Sequence, residues 1–203
     1  MSPCTINRTA KRLLVNIILL ILLVGCASPG TRVTSNNNQV QIPHYSIVIP
    51  PDAGWYLQVI AGPFEGVNVA MEPTSSTVLL MQFKKNTVSG EEARTATAKQ
   101  LADDFRGLEK NIMIEKGVKT GMYKLSNVEM YEKNLGGKNF FVMHYEADTG
   151  SQVQLAWLYL FFPKESNNDW FIMAHYSVSA PKNQQVATRE ADFLSVLKSL
   201  QVR

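Results

Sequence analysis

The stretch KNFFVMHYEADTGSQVQLAWLYLFF, residues 138–162, decides the fold of this chain. Two long apolar runs flank Asp148-Thr149-Gly150-Ser151, residue types that form tight turns. Alternate residues of the second run share a face: Val153, Leu155, Trp157, Tyr159 and Phe161. Its other face carries Leu158, Leu160 and Phe162. A strand that is apolar on both faces is covered on both, so the pattern predicts a central antiparallel strand between two layers.

Strands are also predicted on either side of this stretch. NVEMYEKN, residues 127–134, leads into the turn Gly136-Gly137, and WFIMAHYSVSA, residues 170–180, ends at Pro181. Nearer the amino-terminal end, HYSIVI alternates, with Tyr45, Ile47 and Ile49 on one face. The short turns predict hairpins, and therefore an antiparallel sheet.

Two amphipathic helices complete the expected architecture. Residues 89–113 carry one apolar stripe, formed by Ala98, Leu101, Phe105, Leu108 and Ile112. Residues 187–200 carry a second, formed by Phe193, Leu197 and Leu200. Two such helices and an antiparallel sheet predict an α+β fold, an α/β/α sandwich in which the helices flank the sheet.

The first 26 residues form a targeting pattern. Arg8, Lys11 and Arg12 precede LLVNIILLILLV, an apolar run of about 18 Å as a helix, which is too short for a hydrocarbon core of roughly 30 Å. A basic head before a short apolar run is typical of a secretory signal peptide. The residues 23–26, Leu-Val-Gly-Cys, resemble the bacterial lipobox. The alternative is a signal anchor or an ordinary secretory signal with a chance cysteine.

The lipobox resemblance implies that Cys26 is acylated and that the signal is removed before it. Cys4, the other cysteine, leaves with the signal, so the mature chain retains no free thiol for catalysis, a disulfide or a metal. Two or three acyl chains would give lasting membrane attachment. Ala27, where an Asp would favour the inner membrane, implies an outer-membrane lipoprotein that faces the periplasm.

The domain division follows from the same pattern. Residues 1–25 are the predicted signal peptide, 26–43 the lipidated cysteine with a flexible polar tether, and 44–203 one globular domain. The chain has 20 basic and 17 acidic residues, and removal of the signal leaves 17 of each. A formally neutral domain has no net field to recruit phosphates, so we expect no nucleic acid as a partner.

Residues 44–203 resemble the PsbP/Mog-type fold. The features that match are Pro51 and Trp55 in IPPDAGW, Gly137 before the meander, and the closing run from Phe193 to Leu200. The resemblance implies an α/β/α sandwich around an antiparallel sheet. Its members include photosystem subunits, a Ran-binding import factor and small envelope lipoproteins, and their common property is docking onto a larger partner rather than catalysis. No functional residue of the family carries over by motif.

The sequence contains no recognisable catalytic motif. His144 and His175 lie mid-strand on strands that flank residues 152–162, roughly 10 Å apart across the intervening strand, too far to share a zinc ion. Asp103-Asp104 lies on the solvated part of the first helix. We therefore expect no metal, no cofactor and no enzymatic activity, and His144 and His175 are the best candidates of a less favoured hydrolase hypothesis.

Aromatic residues of the meander remain a candidate surface. The sequence allows two interpretations: core and cross-strand packing, or an open groove for a ligand or partner. The residues of the second interpretation are Tyr145, Trp157, Tyr159, Trp170 and Tyr176. The favoured function is a membrane-anchored envelope lipoprotein that binds an envelope protein or maintains the envelope. The alternative is a periplasmic carrier of a small apolar or lipid-like ligand.

Overall fold

A computed structural model of the chain describes residues 30–42, 45–60, 66–71, 76–84, 91–163 and 170–202. Within these ranges the backbone alone is described for Ile42, 58–60, 66–71, 76–84, 91–97, Leu108 and Trp170. The predicted signal peptide, Cys26 and His44 lie outside the described residues.

The described residues form eleven strands and two helices. The strands are β1 (Thr31–Arg32), β2 (Gln39–Ile42), β3 (Tyr45–Val48), β4 (Trp55–Ile60), β5 (Gly66–Met71), β6 (Ser76–Lys84), β7 (Lys124–Leu135), β8 (Lys138–Asp148), β9 (Gln152–Phe161), β10 (Trp170–Pro181) and β11 (Gln201–Val202). The helices are α1 (Glu91–Glu115) and α2 (Glu190–Ser199).

Eight strands make one antiparallel sheet in the order β1-β4-β5-β6-β10-β9-β8-β7. A second sheet of three strands has the order β11-β3-β2. The predicted meander is confirmed, since β9 pairs with β8 on one side and with β10 on the other. The turn between β7 and β8 uses Gly136 and Gly137 at φ of 59° and 79°, the left-handed region that glycine enters without steric cost.

One face of the large sheet is covered by α1. The buried residues of the helix in this layer are Ala98, Ala102 and Phe105, and Leu101 and Ile112 pack beside them half-buried. The sheet contributes seven buried side chains: Met143, Tyr145, Ala156, Leu158, Leu160, Phe171 and Met173. The predicted stripe of the first helix is therefore confirmed wherever its side chains are described.

The opposite face is covered by α2 and the small sheet. Phe193, Leu197 and Leu200 are fully buried there, as the spacing predicts. Tyr45, Ile47 and Ile49 enter the same layer from β3 and the residue that follows it. β9 contributes Trp157, Tyr159 and Phe161 to this layer and Leu158 and Leu160 to the layer under α1. Both faces of the strand are therefore covered, which explains why both are apolar. The predicted α+β fold with two flanking helices is confirmed.

The amino-terminal segment differs from the flexible tether that we predicted over residues 26–43. Residues 30–42 contain β1 and β2, and Val33 and Val40 are buried in the core. β2 pairs along its whole length with β3. β2 is only four residues long, Gln-Val-Gln-Ile, and it follows a polar stretch, so its pairing with β3 rather than its composition makes it a strand.

Candidate functional site

A polar cluster lies inside the apolar layer between α1 and the large sheet. Its centre is Glu109, a carboxylate with only 8% of its surface exposed. Glu109 follows Phe105 by four residues and precedes Ile112 by three, so it stands on the buried stripe of α1. An ionisable group at such a position needs hydrogen-bond partners, because an unpartnered buried charge is costly.

Three side chains supply those partners to Glu109. The Tyr123 hydroxyl donates to Glu109 Oε2 at 2.9 Å, and the Tyr145 hydroxyl donates to the same oxygen. The Gln154 Nε2 donates to Oε1 at 2.9 Å. Tyr123 precedes β7, Tyr145 lies in β8 and Gln154 lies in β9, so one carboxylate connects α1 to three separate parts of the chain.

The electrostatics keep both phenols protonated. Burial raises the pKa of Tyr145 well above its ordinary value, and the negative charge of Glu109 raises it further. The pKa of Tyr123 rises for the same two reasons, with a smaller opposing effect from Arg106. Both tyrosines therefore stay hydrogen-bond donors at physiological pH. The cluster is suited to hold α1 on the sheet and presents no deprotonated tyrosine as a nucleophile.

His175 lies in the same layer, against α1. Its ring centroid is 4.7 Å from that of Phe105, at a tilt of 53°. Burial lowers the pKa of the imidazole, and Glu109 opposes that shift. Among the described residues, none gives the buried Nε2 of His175 a hydrogen bond. His175 is therefore a neutral core histidine.

The two mid-strand histidines occupy opposite faces of the sheet. His144 stacks on Trp157 with 4.5 Å between ring centroids and 16° between ring planes, on the side of α2. His175 packs on the side of α1, opposite Leu158 in the register. β9 lies between the strands that carry His144 and His175, as we expected. The two side chains also point to opposite faces of the sheet, which separates them further. In the part of the chain that the structure describes, no group of three or more His, Cys, Asp or Glu residues is arranged to hold a metal ion.

The predicted aromatic surface is not assembled. Tyr145 is buried on the α1 face, whereas Trp157, Tyr159 and Tyr176 are buried on the α2 face. Trp170 begins β10, and its side chain is outside the description. Of the two interpretations, the four described residues follow core packing, because cross-strand pairs of large rings fill the space under each helix.

Ring contacts show how tightly the α2 layer is packed. Tyr176 stacks on Phe193 at 5.1 Å and 19°, and it also stacks on Trp157 at 5.3 Å and 25°. Tyr159 meets Phe193 edge-on at 5.3 Å and 72°. These contacts lend no support to the carrier of an apolar ligand, which stays a prediction from the sequence.

Glu109 was not among the residues predicted from the sequence, which included the acid pair Asp103-Asp104 on the same helix. The signal was available, since Glu109 continues the series Ala98, Ala102 and Phe105 at helical spacing. Its partners carry no comparable signal, because Tyr123 and Gln154 come together with Glu109 only in the folded chain.

In the ranges that the structure describes, neither helix has the length and apolar character needed to cross a membrane.

Comparisons with known proteins give similarity of fold only. No protein-family model matches the chain, and no curated protein does. The chain is similar to a solved structure from Bacteroides thetaiotaomicron, at 11% identity and a TM-score of 0.47. That match covers 82% of this chain, which spans about half, 48%, of the Bacteroides protein.

Two further solved structures are similar along nearly their whole length. The cyanobacterial PsbP (CyanoP) of Synechocystis has 14% identity and a TM-score of 0.48, with 88% of this chain and 97% of that one covered. LpqN of Mycobacterium tuberculosis, a protein involved in cell envelope biogenesis, has 12% identity and a TM-score of 0.44, with 85% and 99% covered.

Proposed function

We propose that this chain is a membrane-anchored lipoprotein of the bacterial envelope, of non-enzymatic type, which binds an envelope protein or maintains the envelope. The observation that carries the proposal is the sequence Leu23-Val24-Gly25-Cys26 behind a basic head and a short apolar run. In this proposal Cys26 is the attachment point and the folded domain is held at the membrane surface.

The described residues support the non-enzymatic part. The most polar buried site, around Glu109, links α1 to the sheet through three hydrogen bonds. His175, one candidate of the hydrolase hypothesis, is buried against Phe105, and His144, the other, is stacked on Trp157. Glu109 and His175 therefore have the character of core residues and not of a reaction centre that a substrate enters, and His144 is half-buried on Trp157.

Metabolic labelling tests the anchor. We expect the full chain, made in a bacterium fed an alkyne analogue of palmitate, to take up the label, and its mature form to begin at an acylated Cys26. Cys26→Ser should abolish the label, and Cys4→Ser is the matched control that should keep it. A labelled Cys26→Ser protein, or a mature protein that retains Met1, would contradict the proposal.

Membrane fractionation tests the address. Ala27 directly after the cysteine supports the outer membrane, so we expect the acylated protein in that fraction. Ala27→Asp should move it to the inner membrane, and Ala27→Ser should leave it in place. An unchanged distribution of Ala27→Asp would defeat the outer-membrane part of the proposal.

Cross-linking in living cells tests the partner. We expect a cross-linker to join the anchored domain reproducibly to the same envelope protein, which mass spectrometry then identifies. A domain that is acylated but remains monomeric and without cross-links would speak against an interaction role and would leave the anchor intact.

A further inference from the structure

We infer that the edge of the large sheet formed by β1, together with the turn 34–38 that follows it, lies against the lipid head groups of the membrane. The inference rests on the proposed function, because acylated Cys26 is its starting point. It goes beyond that function in naming the surface of the domain that meets the bilayer.

The first step is that the chain is fixed to the fold at Val33. This side chain is fully buried beside Trp55. The Val33 N–H donates to the Trp55 carbonyl at 2.8 Å, and the Asp52 N–H donates to the Val33 carbonyl at 3.3 Å. Two backbone hydrogen bonds and a buried side chain hold the segment to the domain.

The second step is that the chain is already close to the sheet at Gly30. Thr31 lies opposite Leu57 and Arg32 opposite Tyr56 in the pairing of β1 with β4. A Cβ on Gly30 would lie 2.7 Å from the Leu57 carbonyl oxygen, a distance that only glycine permits. The folded domain therefore begins at Gly30 at the latest.

The third step is the length of chain that remains. Only residues 27–29 lie between Cys26 and Gly30. Four residue steps reach at most about 14 Å when fully extended. A flexible tether of seventeen residues would have an r.m.s. reach of roughly 20–25 Å. Gly30 is therefore kept within about 14 Å of the acylated cysteine, which places the β1 edge beside the head groups.

The fourth step is the chemistry of this edge. Thr31, Arg32, Ser35 and Asn36 are exposed, and residues 30–42 contain no acid. Asp52, whose N–H donates to the Val33 carbonyl, is an exposed acid next to this edge. Hydroxyl, amide and guanidinium groups donate hydrogen bonds to lipid phosphates. One cation and several neutral donors suit a head-group layer.

The turn is ordered by its own hydrogen bonds. The Thr34 N–H donates to Asn37 Oδ1 at 2.6 Å, and Asn37 Nδ2 donates to the Arg32 carbonyl at 2.9 Å. These bonds fix the backbone that carries Ser35 and Asn36, so little ordering remains to oppose contact with the membrane.

The opposite edge of the described sheet is β7. Seven strand spacings separate β1 from β7, which is about 33 Å along the sheet. An edge-on orientation therefore places exposed residues of β7, such as Glu132, well away from the lipid.

Fluorescence quenching on vesicles tests this orientation. The acylated protein, with Ser35→Cys or Glu132→Cys labelled by bimane, is reconstituted into vesicles of phosphatidylethanolamine and phosphatidylglycerol. These vesicles contain lipids with a nitroxide on the head group. We expect several-fold stronger quenching at position 35 than at position 132. Asn36→Cys provides a second probe in the turn, and thermal unfolding of each variant checks that it is folded.

A spacer provides the matched control for the short connection. Insertion of about fifteen Gly and Ser residues between Ala27 and Ser28 adds an r.m.s. reach of roughly 20 Å. We expect quenching at position 35 to fall towards the value at position 132. Equal quenching at both positions without the spacer, or no effect of the spacer, would overturn the inference.

The mass of the mature protein separates this inference from the proposed function. Absence of acyl chains on Cys26 defeats the proposed function, and the inference falls with it, before any quenching is measured. An acylated protein that quenches equally at positions 35 and 132 defeats the inference alone.

Discussion

Glu109 shows what a single buried carboxylate does in an apolar layer. Its two oxygens accept hydrogen bonds from Tyr123, Tyr145 and Gln154, all buried. The bonds cross from α1 to two strands of the sheet and to the segment that leads into a third. Replacement of Glu109 would leave several buried donors without an acceptor, which costs more than the loss of a bond in water.

We expect Glu109→Ala to lower the free energy of unfolding by about 3 kcal/mol, because buried donors lose their acceptor. Urea unfolding of the two proteins measures the difference. Asp104→Ala on the same helix is the control, since Asp104 accepts an exposed hydrogen bond from Gln100. It should change stability by no more than about 0.5 kcal/mol. Equal midpoints for both variants would show that the cluster does not stabilise the fold.

His175 should make stability depend on pH. Burial lowers the pKa of its imidazole below the unfolded value of 6.5, so the folded state keeps the ring neutral while the unfolded chain takes up a proton. Stability is therefore lost as pH falls from 6.5 through the lower folded pKa. Urea unfolding between about pH 7 and pH 5 measures the slope. His175→Gln should flatten it, and an unchanged slope in that variant would refute the assignment.

At this scale, the sequence predicted the apolar residues and missed the polar ones. The stripes containing Phe105 and Phe193 follow from helical spacing alone. The role of Glu109 depends on Tyr145 and Gln154, which are 36 and 45 residues away. Periodicity predicts which face of a helix or strand a residue occupies, but it does not predict which side chain from a distant part of the sequence contacts that residue.

The elements themselves were predictable where their period extends over many residues. β9 is apolar on both faces for most of its ten residues, and α1 repeats its stripe over several turns. β1 and β2 have two and four residues and are mostly polar. Segments this short do not show a recognisable hydrophobic period. Their structure is determined by tertiary pairing, of β1 with β4 and of β2 with β3.

The hairpin between β7 and β8 allows a paired test of two adjacent glycines. Both have positive φ, but a Cβ on Gly136 would also lie 3.1 Å from the Lys198 carbonyl oxygen in α2, whereas Gly137 has open space. We expect Gly137→Ala to cost about 1 kcal/mol and Gly136→Ala about 2 kcal/mol, because the second adds a close contact to backbone strain. Thermal or urea unfolding measures both. A greater loss in Gly137→Ala would contradict this geometry.

The molecule as a whole has two apolar layers divided by one sheet, and the amino-terminal segment belongs to one of them. Val33 and Val40 are buried in the layer that also contains Phe193 and Tyr176. The sequence predicted the layers from β9 and the two helices. It placed the start of the domain at residue 44 because residues 30–42 resemble a linker in composition.

Truncation tests this boundary. A chain that begins at residue 30 should unfold at the same urea concentration as one that begins at Cys26. A chain that begins at residue 44 loses the burial of Val33 and Val40, which contributes about 3–6 kcal/mol. It also loses β2, one of the two strands that pair with β3. We expect circular dichroism to show that the chain beginning at residue 44 is largely unfolded. Equal stability of the chains beginning at residues 30 and 44 would instead support the prediction of a flexible tether.

The small sheet brings together residues from opposite ends of the described chain. β3 pairs with β2 on one side and with β11 on the other, and the Val48 N–H bonds Ser199 Oγ across 151 positions of sequence. Contacts over such separations are formed late and slow the folding of a domain. A polypeptide synthesised from its amino-terminal end therefore carries Tyr45 and Ile47 without their cover until residues 193–202 exist. The last ten described residues, 193–202, therefore determine when this layer can be completed.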